Sequence, residues 1–408
     1  MKINQATLDY IHAHAETDVR QLALQGTKDP EVDMLFALDQ IAGRQKARTK
    51  IPSWAAIDGI IYPPHLSMEQ CSSERTARYK ASLSSSVGEV GRGLLVDLTG
   101  GFGVDFAFMA SHFERAVYVE RQEQLCAISS ENFRLLDLPA EVVCGDGIDY
   151  LHSLDHADMI FIDPARRDEH GGRTFGIADC TPNVLEILDE MLGKADRILL
   201  KLSPMLDWRK AVDDLGEQVS EVHIVSVDNE CKELLVMVKD HAGGIIINCV
   251  NLQSTGHHQF FRFNYTPQAI CSPLSEGGVG GMSSFLFEPN ASIMKAGCFD
   301  LLSERFGIRQ LDKNSHLFVL DAEIPKIPDF SDFPGRQFTI ERITSMNKRE
   351  LKEALAGIDR ANITVRNFPL SVADLRKRLK LKDGGDIYVF ATTVAGQGHQ
   401  LFICRKKS

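Results

Sequence analysis

The chain has 408 residues, of which 44% are hydrophobic and 25% are charged, and its formal net charge is −11. This length predicts two or three domains, and the composition is typical of soluble proteins. The sequence contains no apolar run of about 18 residues, no secretory leader pattern and no C-x-x-C pair among its nine cysteines. We therefore expect neither a membrane span nor a metal site, and we expect a cytoplasmic protein.

The net charge is unevenly distributed along the chain. Residues 336–408 contain 15 Lys and Arg against 7 Asp and Glu, a net charge of +8, whereas residues 1–335 carry −19. A basic segment on an acidic body favours a polyanionic partner such as a nucleic acid. Solvated faces of small helical domains can have the same composition, so charge alone favours nucleic acid only slightly.

The predicted elements fall into four regions. Apolar residues recur at helical spacing between residues 4 and 48, which predicts an N-terminal helical region over residues 1–84. Residues 85–240 alternate short apolar runs with helical patterns, which is typical of βαβ units and a parallel sheet. Residues 241–335 are predicted to be a β-rich connecting or substrate region. Residues 336–408 are predicted to form an α+β module, with capping boxes at Asn347-x-x-Glu350 and Ser371-x-x-Asp374.

An acidic residue ends each of the first four strands predicted for the parallel sheet. Ligands of open α/β sheets bind at the carboxyl ends of the strands, so these acids are candidate ligand contacts. An aspartate after a strand is also a common helix N-cap, but four in succession favour a binding site. The acids are Asp97, Glu120, Asp146 and Asp163.

The turn "DLTGGFGVDF" follows the first of these strands and lacks the G-x-G-x-x-G spacing of dinucleotide-binding proteins. Together with the four acids, it resembles the class I S-adenosylmethionine-dependent methyltransferases. The resemblance implies an α/β fold with a Rossmann-like seven-stranded sheet and S-adenosyl-L-methionine as the cofactor. It also implies the cofactor-binding residues: Asp97, Thr99, Gly100, Gly101 and Gly103 for the methionine part, Glu120 for the ribose, and Asp146 with Gly147 near the adenine.

The C-terminal sequence "ITVRNFPLSVADLRKRLKLKDGGDIYVFATT" resembles the THUMP-like domain that is appended to a bacterial group of methyltransferases. THUMP domains proper bind RNA. The resemblance therefore implies RNA, either tRNA or rRNA, as the partner of the basic C-terminal module.

The segment Asp163-Pro164-Ala165-Arg166-Arg167 lies where the resemblance places the transferable methyl group. Methyltransferases that act on amino groups often have D/N-P-P-Y/F there. This chain has Asp-Pro-Ala-Arg and therefore lacks the aromatic residue of that motif. Asp-Pro-Ala-Arg also resembles RNA 5-methyluridine methyltransferases, but those need a cysteine after the fifth strand, where this chain has Ser203. An amino group of an RNA base is thus favoured over a carbon. The predicted catalytic residues are Asp163, Pro164, Arg166 and Arg167, with Lys201 and His170 as further candidates for a base or a contact.

Three other functions fit parts of the sequence. A methyltransferase of the same fold could act on a protein or a small molecule, with the basic module as a scaffold. A methyltransferase-like domain could also bind RNA without catalysis. An NAD-dependent oxidoreductase is disfavoured by the missing G-x-G-x-x-G motif.

Overall fold

The computed structural model describes residues 3–84, 93–166, 176–240, 243–265, 284–320 and 330–407. Contacts between Cα atoms divide the chain into two compact units. The first unit comprises Met1–His223 and Glu233–Ile246, and the second comprises Ile224–Lys232 and Ile247–Ser408.

Six helices at the N-terminus confirm the predicted helical lead-in. Asn4, Asp18 and Asp33 cap the first three, each accepting a backbone N–H of the first turn with its side chain. The helices are α1 (Gln5–Ala13), α2 (Val19–Gln25), α3 (Met34–Lys50), α4 (Pro52–Ala55), α5 (His65–Gln70) and α6 (Glu74–Ser84).

Strands and helices then alternate, as the apolar runs predict. The strands are β1 (Leu94–Asp97), β2 (Arg115–Glu120), β3 (Ala140–Cys144), β4 (Met159–Ile162), β5 (Ala165–Arg166), β6 (Cys180–Thr181), β7 (Ile198–Leu202), β8 (Val219–Val227) and β9 (Glu230–Val238). The helices between them are α7 (Val104–Ala110), α8 (Glu123–Leu135), α9 (Gly147–Ser153), α10 (Val184–Lys194) and α11 (Trp208–Leu215). Single 3₁₀ turns lie at Ile177–Asp179 and Gly216–Gln218.

The main sheet is mixed. Strands β1, β2, β3, β4 and β7 are parallel, and β9 runs antiparallel to β7. The strand order is β3-β2-β1-β4-β7-β9-β8-β10-β11, with β10 (Ile245–Leu252) and β11 (Gln259–Tyr265) at the end. The predicted α/β fold class is confirmed, and two strands beyond the predicted seven extend the sheet. All four residues of β4 are buried because the central strands are covered on both faces.

The second unit contains a seven-stranded sheet in the order β13-β14-β12-β15-β18-β17-β16. Its remaining elements are β12 (Phe285–Pro289), α12 (Ala291–Ala296), α13 (Phe299–Phe306), β13 (Ile308–Gln310), β14 (Phe318–Leu320), β15 (Gly335–Ser345), α14 (Lys348–Ala354), β16 (Asn362–Arg366), α15 (Val372–Leu379), β17 (Ile387–Val394) and β18 (Gly398–Lys406). The predicted caps Asn347 and Ser371 begin α14 and α15.

Both faces of this second sheet are buried in the C-terminal module. Phe390 and Phe402 belong to one apolar cluster, whereas their neighbours Val389 and Ile403 belong to another, because side chains alternate along a strand. Among the residues with described coordinates, no helix is long and apolar enough to cross a membrane.

Candidate active site

The carboxyl ends of the parallel strands meet at one edge of the main sheet. Asp97 at the end of β1 is in register with Phe161 in β4, and Glu120 at the end of β2 is in register with Cys144 in β3. The strands therefore end at nearly the same level. This alignment brings together the four predicted acids Asp97, Glu120, Asp146 and Asp163.

The glycine turn after β1 follows a path that side chains would obstruct. Gly101 and Gly103 have φ values of 58° and 77°, in the left-handed region. A Cβ atom on Gly100 would lie 2.2 Å from the Tyr118 ring, and one on Gly103 would lie 2.6 Å from the Phe133 ring. The glycines thus let the turn pack closely on two buried aromatic rings.

Glu120 ties the end of β2 to this turn. Its carboxylate accepts the backbone N–H of Gly101 at 2.8 Å and that of Gln122 at 2.8 Å, one on each oxygen. Because a carboxylate oxygen has two lone pairs, each oxygen can still accept a hydroxyl hydrogen. The predicted ribose contact therefore also holds the glycine turn in place.

Asp97 is only 1% exposed, and Thr99 connects it to the end of β4. The Thr99 N–H donates to the Asp97 carboxylate at 2.9 Å, and the Thr99 hydroxyl accepts the Asp163 N–H at 2.7 Å. Burial raises the pKa of Asp97 to about 8, and the nearby Asp105 and Asp163 act in the same direction. A cation placed beside Asp97 would favour its ionised form.

Asp146 has the helix-capping role that the sequence left open. Its carboxylate accepts the Ile148 N–H at 2.8 Å and caps α9. Gly147 follows, and a Cβ atom there would lie 2.1 Å from the Leu98 carbonyl oxygen. The glycine therefore allows α9 to begin directly against the loop after β1, where the sequence predicts the adenine contact.

Asp163 follows β4 and forms an ion pair with Lys201 of β7. The Lys201 ammonium lies 2.6 Å from Oδ2 of Asp163, whose side chain is 40% exposed. Pro164 is buried, and the backbone of Arg166 pairs with β6. Arg167 and His170 lie outside the described residues. Of the predicted catalytic segment, the structure thus places the Asp163 carboxylate at the sheet edge and gives it a cation as partner.

Lys201 belongs to a buried network of charges that sequence reasoning missed. It lies 3.2 Å from Asp105 of α7, Asp105 lies 3.1 Å from Lys80 of α6, and Lys80 donates to both oxygens of Glu233 at 2.7 Å. Lys80 is three residues after Ala77 and four before Ser84, on a stripe of small buried residues. A lysine at a buried position of a helical stripe is the one sequence signal of this network.

The network keeps its lysine and aspartate ionised. Burial lowers the pKa of Lys201, but the carboxylates of Asp163 and Asp105 outweigh this effect and hold the pKa well above its usual value. Burial raises the pKa of Asp105, but Lys80 and Lys201 outweigh it and hold that pKa below its usual value. Lys201 is therefore a cation and not a base. In the described part of the chain, no three His, Cys, Asp or Glu residues form a metal site.

Comparison with known proteins identifies the family. Along its whole length the chain is similar to the crystal structure of a "putative methyltransferase from Porphyromonas gingivalis W83", with 30% identity, 100% of both chains covered and a TM-score of 0.84. The chain belongs to this family. Residues 335–406 match the family model for "THUMP domain-like", as the sequence predicts, and residues 285–328 match a "ferredoxin-like domain".

Other solved structures are similar to part of the chain. An rRNA methylase from Streptococcus thermophilus has 18% identity over 40% of this chain and 94% of its own, with a TM-score of 0.30. A "putative methyltransferase from streptococcus mutans in complex with SAH" has 15% identity over 38% of this chain and 95% of its own, with a TM-score of 0.29. No curated protein matches the chain.

Proposed function

We propose that the protein is an S-adenosylmethionine-dependent methyltransferase that acts on RNA, either tRNA or rRNA, at an amino group of a base. The observation that carries this proposal is the alignment of four acids and a glycine turn at one sheet edge, in a chain that belongs to a family of putative methyltransferases. Ligands of such sheets bind at this edge.

The residues at the sheet edge fit S-adenosylmethionine. Asp97 is a buried carboxylate, and its ionisation is favoured by a cation such as the amino group of the methionine part. Glu120 has lone pairs for the ribose hydroxyls, and Asp146 with Gly147 would face the adenine. When bound, the cofactor supplies a methyl group on an already activated sulfonium, so the protein contributes mainly binding and orientation.

Asp163 is the residue that we propose contacts the acceptor. Lys201 donates a hydrogen bond to Oδ2 of Asp163, and Oδ1 of Asp163 has no hydrogen-bond partner among the described residues. The free oxygen can accept an N–H of an amino group and orient the nitrogen toward the methyl group. Ser203 directly follows β7, so the thiolate needed to activate a ring carbon is absent at that position.

The RNA part of the proposal is supported by the C-terminal module. Residues 335–406 match a THUMP domain-like family, and residues 336–408 carry +8 on an otherwise acidic chain. Exposed lysine and arginine side chains bind phosphates and release counterions.

A methyl-transfer assay tests the proposal. The purified protein would be incubated with S-adenosylmethionine labelled at the methyl group and with size-fractionated RNA from a strain that lacks the protein. We expect label in one RNA fraction, and nuclease digestion should place it on the amino group of a base. Asp163→Ala should reduce the transfer by about 10²–10⁴-fold.

Asp155→Ala is the matched control, because Asp155 is an exposed acid of the same unit that precedes β4. It should transfer methyl groups at the wild-type rate. Label that enters total protein or small molecules instead of RNA would show that the acceptor is not RNA. Label on a ring carbon would refute the amino-group assignment. No binding of S-adenosylhomocysteine by calorimetry would refute the whole proposal.

A further inference from the structure

The ammonium of Lys201 lies between two carboxylates at the edge of the main sheet. It is 2.6 Å from Oδ2 of Asp163 and 3.2 Å from Oδ2 of Asp105, and its side chain is 14% exposed. A lysine ammonium has three donors, so two of them are directed at these acids. Of these two acids, Asp163 is the one that we propose contacts the acceptor.

The position of Asp105, the second acid in contact with Lys201, is fixed by buried groups. Its Oδ2 atom also accepts the Ser72 hydroxyl at 2.7 Å, and its Oδ1 atom lies 3.1 Å from Lys80. Lys80 in turn donates to both oxygens of Glu233, and none of its side chain is exposed. Asp105 therefore cannot follow Lys201 if the lysine moves toward solvent, and the position of the ammonium is fixed by buried groups on three elements.

The Asp163 residue is consequently held at two points. Its backbone N–H donates to Thr99, and one carboxylate oxygen pairs with Lys201. A side chain that is 40% exposed would otherwise exchange between rotamers. Fixing one oxygen determines where the second, free oxygen points.

Three carboxylates, two lysines and one thiol make up the charged and titratable groups around the contacts of Lys201 with Asp105 and Asp163. They come from the end of β1, from Cys71 directly after α5, and from α6, α7, β7 and β9. These groups are Asp97, Lys80, Cys71, Asp105, Lys201 and Glu233. Only two are cations, and Lys80 is already bonded to Glu233. Among the side chains that the structure describes, Lys201 is the only cation in contact with the Asp163 carboxylate.

We propose that Lys201 is a positioning residue for methyl transfer, which orients the Asp163 carboxylate so that its free oxygen receives the N–H of the acceptor. The inference rests on the proposed function, because the acceptor enters only there. Lys201 itself does not touch the acceptor or take a proton from it.

Three variants test the role of Lys201. Lys201→Met removes the cation and keeps an unbranched side chain, Lys201→Arg keeps the charge, and Lys210→Met changes an exposed lysine of α11 as the control. Lys201→Met should fold, because Asp105 keeps its contacts with Lys80 and Ser72 and Asp163 is partly solvated. We expect its kcat for the RNA fraction that wild type methylates to fall about 10²-fold, the cost of a misplaced group of this kind.

The affinity of Lys201→Met for S-adenosylhomocysteine should stay within threefold of wild type. Lys201→Arg should recover kcat to within tenfold of wild type. A parallel loss of kcat, cofactor affinity and thermal stability in both Lys201 variants would instead show a structural role and overturn the proposal.

A crystal structure of Lys201→Met with bound S-adenosylhomocysteine provides a readout that needs no acceptor. We expect the Asp163 carboxylate to leave its wild-type position. If it keeps that position, Lys201 does not orient it and the inference is wrong. Wild-type protein that binds S-adenosylhomocysteine but methylates no RNA would refute the proposed acceptor while the crystallographic result still decides the role of Lys201.

Discussion

A charged network in the first unit is buried, whereas the charged face of α15 in the second unit is exposed. In the first unit, the side chains of Lys80, Glu233 and Asp105 are 0%, 4% and 9% exposed. In the second unit, Lys377 and Arg378 of α15 are exposed and form no ion pair within the described residues. A buried ion needs a matched partner, whereas an exposed ion is solvated and screened by salt. Removing a buried charge should therefore affect folding or catalysis, and removing an exposed one should affect only binding.

The second unit also shows that a basic composition overstates the number of available cations. Arg376 donates to the Ala361 carbonyl at 3.1 Å and to Asp383 at 2.6 Å. Arg336 and Arg366 both pair with the buried Glu288. These arginines hold the module together, so the charge that is free to meet a polyanion is smaller than the net charge of residues 336–408.

The largest effect that we expect comes from replacing a lysine of the buried network. Lys80→Met leaves the buried Glu233 without its lysine and Asp105 with Lys201 as its remaining cation, and it should lower the free energy of unfolding by about 3–5 kcal/mol. Lys377→Met removes one exposed lysine and should change it by less than about 0.5 kcal/mol. Chemical denaturation followed by circular dichroism measures both. Similar losses in the two variants would abolish the distinction between the units.

A smaller effect should follow from changing an acid at the edge of the main sheet. Glu120→Ala removes charge-assisted hydrogen bonds worth about 1.5–3 kcal/mol and should weaken S-adenosylhomocysteine binding about 10- to 150-fold. Isothermal titration calorimetry measures the affinity. The control is Glu123→Ala, which changes an exposed acid three residues further along and should bind as wild type does.

Glu120 also holds the glycine turn, so the loss of affinity needs a second variant. Glu120→Gln keeps an oxygen for the Gly101 N–H but loses the charge. If it binds S-adenosylhomocysteine as wild type does while Glu120→Ala does not, the residue supports the turn and does not bind the ribose through its charge.

The same contrast explains what the sequence could predict. The sequence could predict which acids lie at the edge of the main sheet, because each ends a short apolar run and a parallel sheet brings strand ends together. These acids are Asp97, Glu120, Asp146 and Asp163. The helix caps Asn347 and Ser371 could also be predicted, because a capping box is a local sequence pattern. Their positions required no knowledge of side-chain packing.

The buried network could not be predicted in this way. Lys80 and Glu233 are 153 residues apart, and only packing of α6 beside the sheet joins them. The dual role of Glu120 was also missed, because its bond to Gly101 depends on the path of the glycine turn. Strand periodicity likewise did not show that β10 and β11 extend the main sheet.

A pH effect should distinguish Asp97 from the permanently charged groups around it. Burial raises the pKa of Asp97 to about 8, so the free protein holds a proton there at neutral pH. A bound ammonium group favours the ionised carboxylate, so binding releases this proton. The affinity for S-adenosylhomocysteine should therefore rise up to about tenfold per pH unit below pH ~8 and level off above it.

Calorimetry in two buffers with different ionisation enthalpies measures the released proton directly. At pH ~7 we expect about 0.9 proton per ligand, from a pKa about one unit higher. Asp97→Asn should bind more weakly and release none. Binding without proton release in wild type would show that Asp97 is already ionised, or that the ammonium group lies elsewhere.

The smallest effect per residue should come from the exposed cations of the C-terminal module. If they bind single-stranded RNA, each phosphate contact contributes about −0.7 to the slope of log K against log salt concentration. The combined variant Lys377→Ala, Arg378→Ala and Lys382→Ala should flatten that slope by up to about 2 and weaken binding of all sequences alike. Arg376 is left unchanged because its contacts with Ala361 and Asp383 support the module.

The control removes three exposed cations of the acidic first unit, Arg20, Lys28 and Lys210, and should keep the wild-type slope. A fluorescently labelled RNA oligonucleotide titrated at several salt concentrations measures both slopes. Equal slopes in the two variants would mean that the basic module does not contact RNA through α15 or Lys382, and the difference between the units would then concern folding alone.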